Sequence, residues 1–231
     1  MKNLGCKTIE TERLILKIPT IDEQKQLWNI VKKEEINRYY FPTPDRIFNK
    51  YNLDKSNIND LITARKIFQE QLEDWNRQEP FYKKKIMDIQ NGENNQKFTW
   101  SIFLKDGTII GQMTVQPCEQ FSNNPEIRDV GWFIDSKYHN QGYATECAKA
   151  ILDYMFNEVE IETIITSSAI INPGSWKLME KLGFNYIGTK KSTYLDNENK
   201  LVDCVCYKIN REQYLKLNNV QFKTMGKTIK Y

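Results

Sequence analysis

The chain has 231 residues, of which 40% are hydrophobic and 12% aromatic, so it can bury a full core and does not have a disordered composition. Its 33 basic and 30 acidic residues give a net charge of +3, a balance that argues against direct nucleic-acid binding. Five cysteines, an odd number, indicate reduced thiols and a cytoplasmic protein. A single histidine leaves little from which to build a metal site. We expect no signal peptide and no membrane span, because no stretch is apolar enough.

The N-terminal half predicts one strand and two helices. Thr11–Ile18 alternates between apolar and polar residues and predicts the strand. Asp22 is predicted to cap one helix, and the apolar spacing of Ile58–Trp75 predicts the other. Residues 41–58 contain two prolines and no sustained period, so they predict a loop. Pro80–Gln96 is polar and predicts an exposed excursion, whose lysine run forms a solvated face or, alternatively, a patch that steers substrate.

The C-terminal half has a strand period of two, interrupted by two helical segments. Apolar residues within 144–155 recur at three and four and predict one helix. Asn172-Pro173 predicts the start of the other, with Asn172 as N-cap, and Gly183 its end. Lys105-Asp106-Gly107 predicts a hairpin turn. The strands are predicted over Phe98–Phe103, Ile109–Val115, Asp129–Ile134, Thr163–Ile170, Phe184–Gly188 and Val202–Ile209.

The order of these elements predicts an α/β (α+β) fold on a mixed sheet. No internal repeat and no shift in composition divides the chain. We therefore expect one domain over residues 1–218, followed by a basic tail over residues 219–231.

The loop between the predicted strand at Asp129–Ile134 and the following helix has the features of an anion site. A helix that opens at Gly142 presents free N–H groups and a partial positive charge to the loop. Gly142 and Ala144 are small, so a diphosphate could approach the backbone closely. The alternative is an ordinary strand-to-helix turn that needs small residues for packing. The loop contains neither Gly-Lys-Ser/Thr nor a G-x-G-x-x-G pattern.

Two motifs carry a resemblance to a known family. The segment Asp129-Val-Gly-Trp-Phe-Ile-Asp-Ser-Lys-Tyr-His-Asn-Gln-Gly-Tyr-Ala-Thr-Glu146 resembles the fourth strand and acetyl-CoA loop of the GNAT superfamily of N-acetyltransferases. The family loop reads Arg/Gln-x-x-Gly-x-Gly/Ala, and here His139 stands at its first position. Asn172-Pro-Gly-Ser175 with Glu180-Lys-Leu-Gly-Phe184 resembles the second signature.

The resemblance extends over residues 8–215 and is weakest over 42–96. Thr11-Glu12-Arg13-Leu14 resembles the start of the family domain, and Asp203 with Tyr207 resembles its end. The similarity favours the branch of ribosomal-protein N-terminal (alanine or serine) acetyltransferases. It implies a single domain with a mostly antiparallel mixed sheet, helices on both faces and a splayed central strand pair.

The resemblance also implies acetyl-CoA as co-substrate, with no metal, and assigns residues to it. The backbone of Phe133 and Ile134 would pair with the pantetheine arm, and the amides of 140–145 would face the pyrophosphate. Asn172 would hydrogen-bond the pantetheine amides, or else serve only as a helix cap. The implied cofactor-binding residues are Phe133, Ile134, His139, Asn140, Gln141, Gly142, Tyr143, Ala144, Thr145 and Asn172.

The catalytic groups are less fully specified by the resemblance. Ser175 is the candidate general acid for the departing thiolate, or else a helix serine that satisfies a backbone group. Many family members place a tyrosine one turn later, where this chain has Met179. The family's strand carboxylates would fall on Arg128 and Ser167, neither of which fits, so nearby Asp129 is the candidate base.

The acceptor implied by the resemblance is a primary amine. An α-amine of pKa about 7.8 is roughly 15% neutral at pH 7, whereas a lysine is only about 0.04% neutral. An enzyme without an efficient base depends on this neutral fraction. A protein or peptide N-terminus, or a small amine, is therefore the expected acceptor. A CoA-binding module without chemistry and an RNA-associated protein remain as alternatives, and a homodimer is left open.

Overall fold

A computed structural model describes residues 1–2, 4–39, 45–90, 97–118, 123–196 and 198–217, the side chains of residues 45 and 46 excepted. The helices are α1 (Ile21–Val31), α2 (Glu34–Asn37), α3 (Asp45–Tyr51), α4 (Ile58–Glu73), α5 (Trp75–Gln90), α6 (Tyr143–Asp153) and α7 (Pro173–Lys181). The strands are β1 (Ile9–Glu10), β2 (Leu14–Lys17), β3 (Phe98–Leu104), β4 (Ile109–Pro117), β5 (Ile127–Ile134), β6 (Thr163–Ala169), β7 (Asn185–Leu195) and β8 (Leu201–Asn210). A 3-10 turn, Ser136–Tyr138, precedes α6, a π-helical turn, Tyr154–Glu158, follows it, and residues 211–217 are helical.

These strands form one eight-stranded sheet in the order β1-β2-β3-β4-β5-β6-β8-β7. Every neighbouring pair is antiparallel except β5 and β6, which run parallel. The predicted mixed, mostly antiparallel sheet with helices on both faces is therefore confirmed.

The parallel pair of strands separates soon after it begins. Only Ile127 with Thr163 and Arg128 with Ile164 are in register, although β5 continues to Ile134 and β6 to Ala169. Beyond Arg128 the two strands diverge, and the Thr166 hydroxyl donates to the Val130 carbonyl across the start of the gap at 2.9 Å. This is the splayed central pair that the resemblance implied.

The two faces of the sheet bury separate cores. On one face α6 and α7 cover Trp100, Met113 and Val130, together with other fully buried residues. On the other face the helices of the 21–90 region cover Phe103 and Phe133. Successive residues of β5 therefore alternate between two helical layers, as the period of two requires.

Three predictions about the N-terminal half are wrong. Thr20, not Asp22, caps α1, because its hydroxyl accepts from the Glu23 amide while the Glu23 carboxylate accepts from the Thr20 amide. The predicted loop at 41–58 contains α3, although residues 40–44 lie outside the described residues. The predicted excursion at Pro80–Gln96 is mostly α5, and its last six residues are not described.

The reason for missing α5 is its composition. Its inward face carries Gln78, Ile86 and Ile89, and a buried glutamine does not register as part of an apolar stripe. Packing against α1 supplies the stability that the polar sequence does not indicate.

Smaller differences occur at element ends. The helix predicted over Ile58–Trp75 ends at Glu73, and β7 runs to Leu195 rather than to Gly188. Strand β1 was not predicted, and the tail over 219–231 lies outside the described residues. All five cysteines are free thiols.

Close packing between β4 and β5 makes Gly111 a structural constraint. A Cβ atom on Gly111 would collide with the Phe133 carbonyl oxygen and lie 3.0 Å from the Ile134 Cα. We expect Gly111→Ala to cost about 1–3 kcal/mol of unfolding free energy, because the strands must move apart. Thermal unfolding measures the loss. Gly131→Ala is the control, because nothing lies within 4 Å of its Cβ position, and an equal loss in both variants would contradict the packing argument.

Candidate active site

A cavity of about 760 Å³ opens where β5 has separated from β6. Its wall combines β5, the loop after it and the starts of α6 and α7, while α2 closes one end. It brings together most of the residues predicted from sequence: Phe133, Ile134, His139, Asn140, Gly142, Tyr143, Ala144, Thr145, Asn172 and Ser175. Two predicted residues, Gln141 and Asp129, do not line it.

The loop before α6 contains two left-handed backbone positions. Asn140 has φ of 59° and Gly142, the N-cap of α6, has φ of 84°. Gly142 has no side chain to cap the helix, so the first-turn amides of Tyr143, Ala144 and Thr145 have no intrahelical acceptor. These three residues line the cavity. The helix start is therefore suited to an anionic group in the cavity.

An arginine just before strand β2 holds this loop from outside. Arg13 pairs with Glu146 (Nε–Oε2, 2.6 Å), donates to the Gln141 carbonyl (3.0 Å), and lies 4.5 Å above the Tyr143 ring. The Thr11 hydroxyl also donates to Glu146, at 2.6 Å. Burial alone would raise the pKa of Glu146, but the hydrogen bonds from Thr11 and Arg13 outweigh it and lower that pKa.

We call this set of contacts the Arg13–Glu146 clamp. It neutralises a carboxylate in the first turn of α6 and fixes the carbonyl of Gln141. The Arg13 Nη2 atom is also 3.2 Å from the position of a Cβ on Gly142. The sequence placed Thr11 and Arg13 only at the start of the family domain. It did not predict their contact with Glu146, because Glu146 is more than 130 residues away in the chain.

His139 and Gln141 have anchoring contacts within the loop. The His139 ring nitrogen Nε2 lies 2.7 Å from the Ile134 carbonyl oxygen, so it must carry the proton and donate. The Gln141 side chain donates to the Lys137 carbonyl at 2.9 Å and points away from the cavity. The His139 contact leaves the Ile134 carbonyl one further lone pair for another donor.

At the start of α7, two polar side chains face the cavity without local partners. Asn172 is the N-cap residue of α7, as predicted, but its side chain makes no capping hydrogen bond. The Ser175 hydroxyl has no hydrogen-bond partner among the residues that the structure describes, while its amide donates to the Asn172 carbonyl. Both side chains are half-buried and available to a ligand.

Asp129 lies at the point where β5 leaves β6, on the face opposite α6. Its carboxylate accepts from the Val130 amide at 2.8 Å, and the nearby Thr166 and Gln116 side chains also favour its charged form. Burial raises the pKa of Asp129 and exceeds the opposing effect of these polar groups. On the same face, two residues along, exposed Gly131 has open space above it. Asp129 does not itself line the cavity, although Phe133, on the same face of β5, does.

Comparison with known proteins identifies the family. A family model described as the acetyltransferase (GNAT) domain matches residues 13–185, which is most of the chain. The uncharacterized N-acetyltransferase YnaD of Bacillus subtilis is 30% identical over 132 residues, covering 57% of this chain and 74% of that protein. The chain therefore belongs to the GNAT acetyltransferase family, and it is an acetyl-CoA-dependent N-acetyltransferase.

The names of other relatives include several different acceptors, so they do not establish the acceptor of this chain. The L-amino acid N-acetyltransferase AaaT of Escherichia coli is 26% identical over 92 residues, 40% of this chain and 56% of that protein. The structure of a ribosomal-protein-S5-alanine acetyltransferase from Vibrio fischeri superposes with a TM-score of 0.62 at 15% identity, covering 90% of this chain and 98% of that one. A spermidine/spermine N-acetyltransferase from Vibrio cholerae gives 0.64 at 18% identity, covering 90% and 99%. At these identities the structural likeness establishes the fold alone.

Within the described residues, no helix is long and apolar enough to cross a membrane. Over the same part of the chain, no group of three or more His, Cys, Asp or Glu side chains is placed to hold a metal ion.

Gly142 provides a direct test of the loop as a pyrophosphate site. We expect acetyl-CoA to raise the melting temperature of the wild-type protein by mass action. Gly142→Asp should abolish this increase, because it places a negative side chain where the diphosphate must approach. The matched control is Gly107→Asp, which makes the same change at a left-handed glycine in the β3–β4 turn, where nothing lies within 4 Å. A full shift in Gly142→Asp would falsify the loop assignment.

Proposed function

We propose that the protein transfers the acetyl group of acetyl-CoA to a primary amine by direct attack, and that the amine is a protein or peptide N-terminus or a small molecule. The observation that carries the proposal is the cavity itself: it joins the free amides at the start of α6 to Asn172 and Ser175 at the start of α7. One elongated ligand with a diphosphate and an amide-bearing arm would use both ends.

On the cofactor side, the amides of Tyr143, Ala144 and Thr145 would bind the pyrophosphate. The edge of β5 at Phe133 and Ile134, left without a strand partner by the splay, would pair with the pantetheine arm as an added strand does. Asn172 would donate to or accept from the amides of that arm, a role supported by its free side chain. Most of the rate would then come from holding the thioester and the amine in one cleft.

On the acceptor side, Asp129 would take the proton that the attacking amine must lose. Its support is its place at the splay, the open space beside it at Gly131, and a pKa that burial raises. Loss of the thiolate completes the reaction, and the Ser175 hydroxyl would protonate it. A buried methionine, Met179, stands where many family members have a tyrosine, so Ser175 carries the hydroxyl that remains as a candidate on this helix.

Contacts between the β7–β8 hairpin and the helices favour an acceptor that enters end-on. The Tyr194 hydroxyl near the end of β7 donates to the Arg38 carbonyl at 2.9 Å, and Arg38 lines the cavity. Arg65 of α4 donates to the carbonyls of Leu195 and Asp196. The β7–β8 hairpin is thereby tied to the helices across the cleft, a geometry suited to a chain terminus or a small amine. Thiol release measured over a panel of small amines and N-terminal peptides tests the proposal, and acetyl-CoA binding without any turnover would overturn it.

Removal of the Ser175 hydroxyl tests its role as proton donor. We expect Ser175→Ala to lower kcat by ~10–100-fold while acetyl-CoA affinity changes little, because the group acts on the departing thiolate. Steady-state kinetics and equilibrium binding measure the two effects. Ser175→Thr retains a hydroxyl and should recover part of the rate. If kcat of Ser175→Ala equals that of the wild type, the serine is only a helix residue.

A pH–rate profile tests Asp129. The carboxylate is the active form of the base and its pKa is raised by burial, so kcat/KM should rise with pH through a value above the ordinary ~3.9. Asp129→Asn should lower kcat/KM by ~10²–10⁴-fold and leave a profile that follows the free amine alone, levelling near pH 8 for an α-amine. Identical profiles in the two proteins would show that the enzyme needs no base, which is the expectation from sequence.

A further inference from the structure

A lysine occupies the inward face of helix α5. Gln78, Tyr82, Lys85 and Ile89 recur at four, three and four residues, and the stripe includes residues buried against the rest of the protein. Lys85 is half-buried in this stripe, with its ammonium 5.7 Å from the Tyr82 ring centroid. Burial, together with the nearby charge of Lys97, lowers the pKa of Lys85 to about 8. An ammonium group on an inward helical face is costly unless a partner is present.

Lys97 lies on the sheet face that contains Asp129. Phe98 pairs with Val115, so Lys97 is opposite Gln116, and Gln116 pairs with Asp129. The three side chains form a row across three strands, on one face, with Lys97 and Asp129 about 10 Å apart at the backbone. Burial lowers the pKa of Lys97, and the charge of Asp129 acts in the opposite direction.

These two lysines have no anionic partner in contact. Within the residues that the structure describes, neither ammonium group makes a hydrogen bond or an ion pair, whereas most other partly buried charges do. The charge of Asp129 acts on Lys97, and that of Lys190 acts on Asp129. Among the described residues the row therefore has more positive than negative charge in a region partly removed from water, which favours an added anion.

Open space for an amine is available beside Asp129. Gly131 is exposed on this face, nothing lies within 4 Å of its Cβ position, and it is one pleat from Asp129. An amine above Gly131 would be beside Asp129 and near the gap between β5 and β6. A group attached to that amine and directed toward β3 would meet Lys97 and Lys85.

We propose that Lys85 and Lys97 form a carboxylate subsite, so that the acceptor is a molecule with both a primary amine and a carboxylate. The subsite rests on the proposed acetyl transfer and names its acceptor class. The amine lies beside Asp129 and Gly131, and the carboxylate lies between the two ammonium groups. Free amino acids and peptides with an acidic first residue both have this chemistry.

Matched substrates test the subsite and separate these two sources. One arm compares each common L-amino acid with its primary amide, and the other compares peptides beginning with Asp or Glu with those beginning with Asn or Gln. Thiol release is measured at several pH values and corrected for the fraction of free amine. In one of the two arms we expect the KM of the carboxylate substrate to be ~10–100-fold lower than that of its uncharged partner. This is the change in affinity that a charge-assisted hydrogen bond typically produces.

Variants assign the preference to the two lysines. Lys85→Met and Lys97→Met each keep the length of the side chain and remove its charge, and each should lose most of the preference through KM rather than kcat. Lys97→Arg should retain it. The control is Lys84→Met, which removes an exposed charge from the same helix and should leave the preference unchanged. An unchanged acetyl-CoA-dependent melting shift establishes that each variant is folded.

Failure of the subsite differs from failure of the proposed function. If amines without a carboxylate are acetylated equally well, or if Lys85→Met and Lys97→Met keep the preference, the subsite is wrong and acetyl transfer stands. If no amine is turned over, calorimetric binding of N-acetyl amino acids and of their amides, with CoA present, still decides the subsite. Equal affinities would overturn it, and a preference for the acid that Lys97→Met removes would support it.

Discussion

The separation of β5 from β6 is the constraint on which the rest of the structure depends. Two registered pairs start the strands in parallel, and beyond Arg128 the edge of β5 that faces β6 has no ladder partner. Buried backbone groups need partners, and the Thr166 hydroxyl supplies one for Val130 only. The remaining edge and the space beside it form a cleft in the middle of a packed sheet. A substrate with amides of its own can enter this cleft as a strand would.

Two kinds of site meet at that cleft because residues along a strand alternate in direction. One face of β5 leads to the start of α6, where unsatisfied amides provide a positive field without basic side chains. The carboxylate of Glu146 would weaken this field, but in the Arg13–Glu146 clamp the guanidinium of Arg13 neutralises that carboxylate. The other face leads to Asp129, Gly131, Lys85 of α5 and Lys97 just before β3. The strand therefore lies between the proposed phosphate-binding region and the proposed acceptor region, and its splayed edge joins them.

The helices between β2 and β3 form the proposed acceptor side. Their core includes aromatic contacts, such as those of Trp28 with Trp75 and Tyr82, and buried polar residues such as Gln78. The hairpin of β7 and β8 is tied to them through Arg65 and Tyr194. Few contacts join these helices to α6 and α7. Specificity for an acceptor can therefore change in these helices while the proposed cofactor site stays constant.

The sequence by itself determined the elements around the proposed cofactor site. Period-two strands, the loop at Gly142 and the Asn172-Pro173 helix start are local patterns, and each needs only neighbouring residues to be interpreted. The tertiary structure alone decided the Arg13–Glu146 clamp, the free side chains of Asn172 and Ser175, and the row of Lys97, Gln116 and Asp129. These depend on strand register and on contacts between residues far apart in the chain. Helix α5 belongs with them, because its polar sequence becomes helical only when packing against α1 and α4 buries its inner face.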